Sequence, residues 1–191
     1  MRSQKTICMA EIALMSAVLC VISPVTIPVP ASPVPLSLAL LGVYLVAILL
    51  GAKKGALCVL LYLLIGMVGL PVFSGFSGGA GMLLGPTGGY LIGYIPCALI
   101  TGWLGRRKIH KNSLSGRRQV IWNGISMAAG TLVCYALGTG WFLIIMKGAY
   151  TLSQALLVCV VPYLIFDSIK ILAAAVLAVP VQRIVRRIEQ K

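Results

Sequence analysis

Apolar residues run almost unbroken along six stretches of this chain, roughly Ile7–Ser23, Leu36–Leu50, Gly55–Leu70, Thr87–Leu104, Val120–Met146 and Leu152–Val181. A helix that crosses the hydrocarbon core of a bilayer needs ~20 mainly apolar residues, and fewer where protein covers part of it. The pattern predicts an all-α integral membrane protein, a single domain over residues 1–191 with six transmembrane helices. Met1 to Lys5 followed by an apolar run has the outline of a signal peptide, but no small-residue cleavage site leads into a soluble region, so this run reads as the first span.

Charge turns six helices into an orientation. Arg2 and Lys5, then Lys53 and Lys54, then Arg106, Arg107, Lys108, Lys111, Arg117 and Arg118, then Arg183, Arg186, Arg187 and Lys191 mark every second connection. Of the 16 basic residues, these 14 fall on one side, Lys147 falls on the other and Lys170 lies within a span. By the positive-inside rule both termini are cytoplasmic. Composition agrees: 60% of residues are apolar and 10% charged, against roughly 25% charged in a soluble domain, and the mean hydropathy is +1.03. The net charge of +13 comes from short clusters between apolar runs, with no basic face of the kind that binds nucleic acid.

Asp167 and Lys170 stand three residues apart in the last span, otherwise uncharged from Ala155 to Val181. An ionised side chain in hydrocarbon costs at least about 2.5–3.5 kcal/mol on insertion scales, which marks the pair as a functional-site candidate. Residues three apart share a helix face. The pair is either a structural ion pair or the polar anchor of a ligand held in an apolar cavity.

The outer connections differ from the basic inner ones. The first holds Pro24, Pro28, Pro30, Pro33 and Pro35, which forbids helix and favours an extended, fairly rigid segment like a lid or wall. The second reads GLPVFSGFSGGAGMLLGPTGG, Gly69 to Gly89, and carries no charge. Its glycines, Gly78 and Gly79 among them, let backbone approach a ligand and expose N–H donors. Phe73 and Phe76 would pack on apolar rings of a ligand or on each other. Neither phosphate-binding glycine pattern is present, so no nucleotide site is indicated.

The remaining chemistry is sparse. Cys8, Cys20, Cys58, Cys97, Cys134 and Cys159 are scattered singly and read as small core residues, with no metal-ligand spacing and no cofactor implied. His110 sits in a basic inner loop and reads as solvated. The acids are Glu11, Asp167 and Glu189, too few and too dispersed for a membrane hydrolase, so the chain does not read as an enzyme. Glu11, near the inner end of the first span, would snorkel, cap or meet a partner.

The run GLPVFSGFSGGAGMLLGPTGGYLIGY, Gly69 to Tyr94, with GPTGGYL-x-G from Gly85 to Gly93, the Pro-rich first loop and FDSIK in the last span, resembles the BioY family of biotin transporters over essentially the whole chain. The resemblance implies the substrate-capture subunit, or S-component, of an energy-coupling-factor transporter in the cell membrane of a prokaryote. Its partners would be biotin, membrane lipid, a membrane coupling subunit and two ATPases. Biotin carries a ureido ring with two N–H donors and one carbonyl, an apolar sulfur-containing ring and a carboxylate. Asp167 would accept a ureido N–H and Lys170 would serve the ureido oxygen or the carboxylate. Tyr163, one turn before Asp167, and Tyr90 would add a hydroxyl or an apolar wall, or stand as interfacial belt residues. Ala10, Ala13 and Ala17 form a small-residue stripe on the first helix, and Ala13 and Ala17 have the spacing for close helix approach. The resemblance makes them the docking surface for the coupling subunit. A stand-alone transporter of biotin or another small vitamin is the alternative.

Overall fold

The computed structural model describes residues 2–27, 35–111 and 116–189. Among them the order is α1 (Arg2–Ile22), β1 (Thr26–Ile27), β2 (Leu36–Ser37), α2 (Ala39–Leu50), α3 (Ala52–Met67), α4 (Ala80–Leu84), α5 (Gly88–Lys111), α6 (Gly116–Ile145), α7 (Leu152–Cys159) and α8 (Val161–Glu189). The protein is mostly helical. Three segments, Gln4–Ile22, Gly116–Ile145 and Val161–Gln182, are long and apolar enough by themselves to cross a membrane, and α2 is a shorter apolar helix. Large apolar side chains point outward on each of the three, Leu14, Leu132 and Ile165 among them, as expected of a protein whose solvent is lipid.

α2 lies at the centre. Ala39, Leu40, Val43, Tyr44, Val46, Ala47 and Ile48 are all buried, while Leu41, Leu45 and Leu49 form a partly exposed apolar stripe, so the helix meets protein and lipid but no water and carries no polar face. It packs on α1, α3, α5 and α8. One residue separates it from α3: Gly51, at φ 82°, turns the chain with a backbone only glycine adopts readily. α5 and α6 press together through small residues. A Cβ at Gly89 would stand 2.2 Å from the Cβ of Trp141, and one at Gly130 would stand 2.4 Å from Thr101 Oγ1. Buried polar groups tie the helices where no water is at hand. Tyr44 of α2 shares a hydrogen bond with Thr131 of α6. Gln182 of α8 accepts from Gln119 at 2.6 Å and from Asn123 at 3.3 Å on α6, and donates to the Ile48 carbonyl oxygen at 3.4 Å.

Two sequence expectations change. The last apolar run is not one helix but two: Val160 leaves helical geometry at φ -123° and ψ -54°, and Pro162, two residues on, has no N–H to give the Val158 carbonyl. The glycine-rich connection is not bare loop: it carries α4 and a tight turn in which the Phe73 N–H donates to the Ser77 carbonyl at 2.9 Å. That turn is fastened to the first outer connection by Gly75 N–H to the Pro24 carbonyl at 3.1 Å. Of the prolines in the first connection, Pro28, Pro30 and Pro33 lie outside the described residues. Pro24 and Pro35 flank the β1–β2 ribbon, in which Thr26 pairs with Ser37 and Ile27 with Leu36.

Candidate functional site

Asp167 and Lys170 face inward, not toward lipid. Both are buried, and Lys170 Nζ lies 2.8 Å from Asp167 Oδ1. Two partners reach the pair from other elements: Lys170 also donates to the Ser37 carbonyl oxygen of β2 at 2.8 Å, and Tyr135 Oη of α6 donates to Asp167 Oδ2 at 2.5 Å. Each carboxylate oxygen therefore has one donor, and the ammonium has two acceptors for its three N–H groups.

The pair forms the polar end of a partly open cleft with about 420 Å³ of empty space. α8 contributes Tyr163, Asp167 and Lys170, α5 contributes Tyr90 and Tyr94, α6 contributes Cys134 and Tyr135, and α7 contributes Cys159. Pro35, Ser37 and Leu40 complete the wall. A second cleft of about 320 Å³ shares Pro35, Tyr90 and Tyr94 and adds Phe73, Ser74, Met82, Thr87 and Leu91. The two adjoin through these common residues. Four tyrosine rings, two thiols and aliphatic groups surround a single ion pair, so the site suits a ligand with one strongly hydrogen-bonding end and a largely apolar body. Tyr90 is held in place by its hydroxyl, 3.1 Å from Thr139 Oγ1.

The structure thus brings Asp167, Lys170, Tyr90 and Tyr163 to one cleft and Phe73 to the next. It does not bring Phe76, Gly78 or Gly79 to either. Phe73 is fully buried, edge-on to Tyr62 with ring centroids 5.5 Å apart and packed on Gly66. Phe76, at φ 58°, is 71% exposed at the tip of the turn. At Gly78 a Cβ would stand 2.4 Å from the Leu70 carbonyl oxygen. Gly79 takes φ 96° and donates its N–H to the Gly66 carbonyl at 2.7 Å, so its geometry serves the loop itself.

Sequence reasoning missed Ser37, Tyr94 and Tyr135. Ser37 contributes a backbone oxygen, which no side-chain pattern announces. The tyrosines did leave a signal: Tyr94 and Tyr135 lie near the middle of their apolar runs, away from either interfacial belt, where a hydroxyl needs a partner. All six cysteines are free, with Cys58, Cys97, Cys134 and Cys159 buried and Cys8 and Cys20 partly so. Among the described residues no cluster of three or more histidine, cysteine or acidic side chains is placed to hold a metal.

On α1, Ser16 and Leu19 face inward. Ser16 Oγ reaches the Cys58 carbonyl at 3.3 Å, and Glu11 pairs with Lys54 of α3 at 2.7 Å. Ala10, Ala13 and Ala17 are exposed.

Residues 1–187 match the BioY family along nearly their whole length. The chain belongs to the BioY family. It is 38% identical over 158 residues to the "Biotin transporter BioY" of Thermotoga maritima, covering 83% of this chain and 86% of that protein. It is 35% identical to the "Probable biotin transporter BioY" of Pyrococcus horikoshii, covering 80% and 83% of the two chains. The crystal structure of the S-component for biotin from an ECF-type ABC transporter superimposes with a TM-score of 0.81 at 26% identity, covering 97% of this chain and 94% of that one.

Proposed function

We propose that this BioY-family protein captures biotin at the outer face of a prokaryotic cell membrane and passes it inward as the substrate-specific subunit of an energy-coupling-factor transporter. The observation that carries the reading is the buried Asp167–Lys170 pair at the end of an otherwise apolar, tyrosine-walled cleft. Biotin has the matching division, a ureido head with two donors and one acceptor on an apolar bicyclic body. Asp167 takes a ureido N–H, and Lys170 uses its remaining N–H for an oxygen of the ligand. Tyr90 and Tyr163 wall the rings, and Phe73 lines the adjoining space. Phe76, Gly78 and Gly79 shape the outer loop that supports this wall.

The protein is a transport subunit, not an enzyme. In this reading it spans the membrane six times with both termini cytoplasmic, α2 and α3 being short spans and α7 a short outer-side helix that begins the last crossing. Ala13 and Ala17 face outward from α1 to receive a coupling subunit, which with two ATPases supplies the energy. Mass spectrometry of small molecules that co-purify with the detergent-solubilised protein tests the ligand, with biotin expected. A preparation that neither carries biotin nor binds it on titration overturns the proposal. Uptake measured with and without the ATPase partners separates it from a stand-alone transporter.

A further inference from the structure

A cyclic urea offers two N–H donors, one on each side of its carbonyl, and a dry site must meet both because an unpaired N–H loses its water without replacement. Asp167 and Lys170 supply one acceptor and one donor, which leaves the second N–H unanswered. Tyr135 stands beside them. It lines the same cleft, is 8% exposed, and donates its hydroxyl to Asp167 Oδ2 at 2.5 Å.

A tyrosine hydroxyl has one proton to give and lone pairs to receive with. Here the proton is committed to the carboxylate, so toward the cleft the oxygen can only accept. Donation to a charged acceptor also polarises the phenol and strengthens its oxygen as an acceptor in turn. Lys170 sits on the other carboxylate oxygen, 2.8 Å away. Asp167 thereby braces a donor on one side and an acceptor on the other, with both lining the cleft.

Resting on the biotin reading above, we infer that Tyr135 is a specificity-determining ligand contact: its oxygen accepts the second urea N–H while its proton remains on Asp167. The requirement it imposes is for a urea unsubstituted on both nitrogens. A ring bearing a methyl on the nitrogen that meets Tyr135 is refused twice, by the lost hydrogen bond and by the methyl group against the oxygen.

The test is calorimetric titration of the detergent-solubilised protein and its Tyr135→Phe variant with biotin and with the two derivatives methylated on one or the other urea nitrogen. Tyr135→Phe is expected to weaken biotin about 10- to 100-fold. The parent should lose affinity for both methyl derivatives, and the variant should lose further affinity for only one, since its other nitrogen has no partner left to lose. Undiminished biotin affinity in the variant, or equal further losses for both derivatives, overturns the inference. If the variant does not fold, the parent series decides: tolerance of a methyl on either nitrogen removes the second acceptor, and loss at both supports it. A parent that binds no biotin at all falls instead on the reading beneath.

Discussion

Lys170 joins α8 to the β1–β2 ribbon: its ammonium donates to the Ser37 carbonyl oxygen at 2.8 Å across 133 residues of sequence. The same nitrogen holds Asp167, and Asp167 holds Tyr135. One chain of hydrogen bonds therefore fastens β2, α8 and α6 around the polar end of the cleft. The cation proposed to meet the ligand also holds the wall beside it, so loss of Lys170 should disturb both.

Asp167→Asn and Lys170→Ala should each weaken biotin binding by about 2–4 kcal/mol, since the abandoned partner stays buried and unpaired. That is about 30- to 1000-fold in dissociation constant. Calorimetry on each variant checks it. Two variants binding as tightly as the parent would make the pair purely structural.

Phe73 and Phe76, three residues apart, should behave differently. Phe73 is enclosed by Tyr62 and Gly66, so Phe73→Ala opens a cavity worth about 3–5 kcal/mol and lowers the melting temperature. Phe76 is 71% exposed, and Phe76→Ala should leave both the melting temperature and the biotin affinity near those of the parent. Thermal denaturation with and without biotin distinguishes them. Equal losses for both would mean that the turn seats Phe76 inward when ligand is present.

The two phenylalanines also show where sequence stops being informative. Asp167 and Lys170 were legible because charge in an apolar run is expensive wherever the helix turns, so the cost itself marks the site. Which of two loop aromatics is buried depends on turn geometry: Gly75 at φ 69° and Phe76 at φ 58° point the second ring away, and composition does not encode that. The helices were legible as apolar runs. Their break at Val160 was not, because the last run is apolar on both sides of it and a proline near a helix start is compatible with an unbroken apolar pattern. Ser37 was not, because its contribution is a main-chain oxygen that almost any residue would supply.

Sidedness rests on the basic residues. With Cys8 and Cys20 replaced by alanine and the four buried cysteines left in place, a cysteine at position 76 should react with a membrane-impermeant maleimide added to intact cells. One at position 53, exposed in the first turn of α3, should react only after the membrane is opened. External labelling at position 53 would invert or break the six-span topology.

Binding and coupling should separate on α1. Ala13 and Ala17 lie one turn apart, both are exposed, and neither lines the cleft. Small side chains there admit another helix to close contact, and leucine would hold it off. A double variant, Ala13→Leu with Ala17→Leu, should therefore keep its biotin affinity in detergent, since no cleft residue moves, yet fail to retain the coupling subunit and ATPases and lose ATP-dependent uptake. Pull-down of the energising module and a biotin titration on the same preparation read the two effects apart. Intact assembly would show that the stripe faces lipid alone. Lost binding would show that α1 packs on this face within the subunit, against the exposure of both alanines.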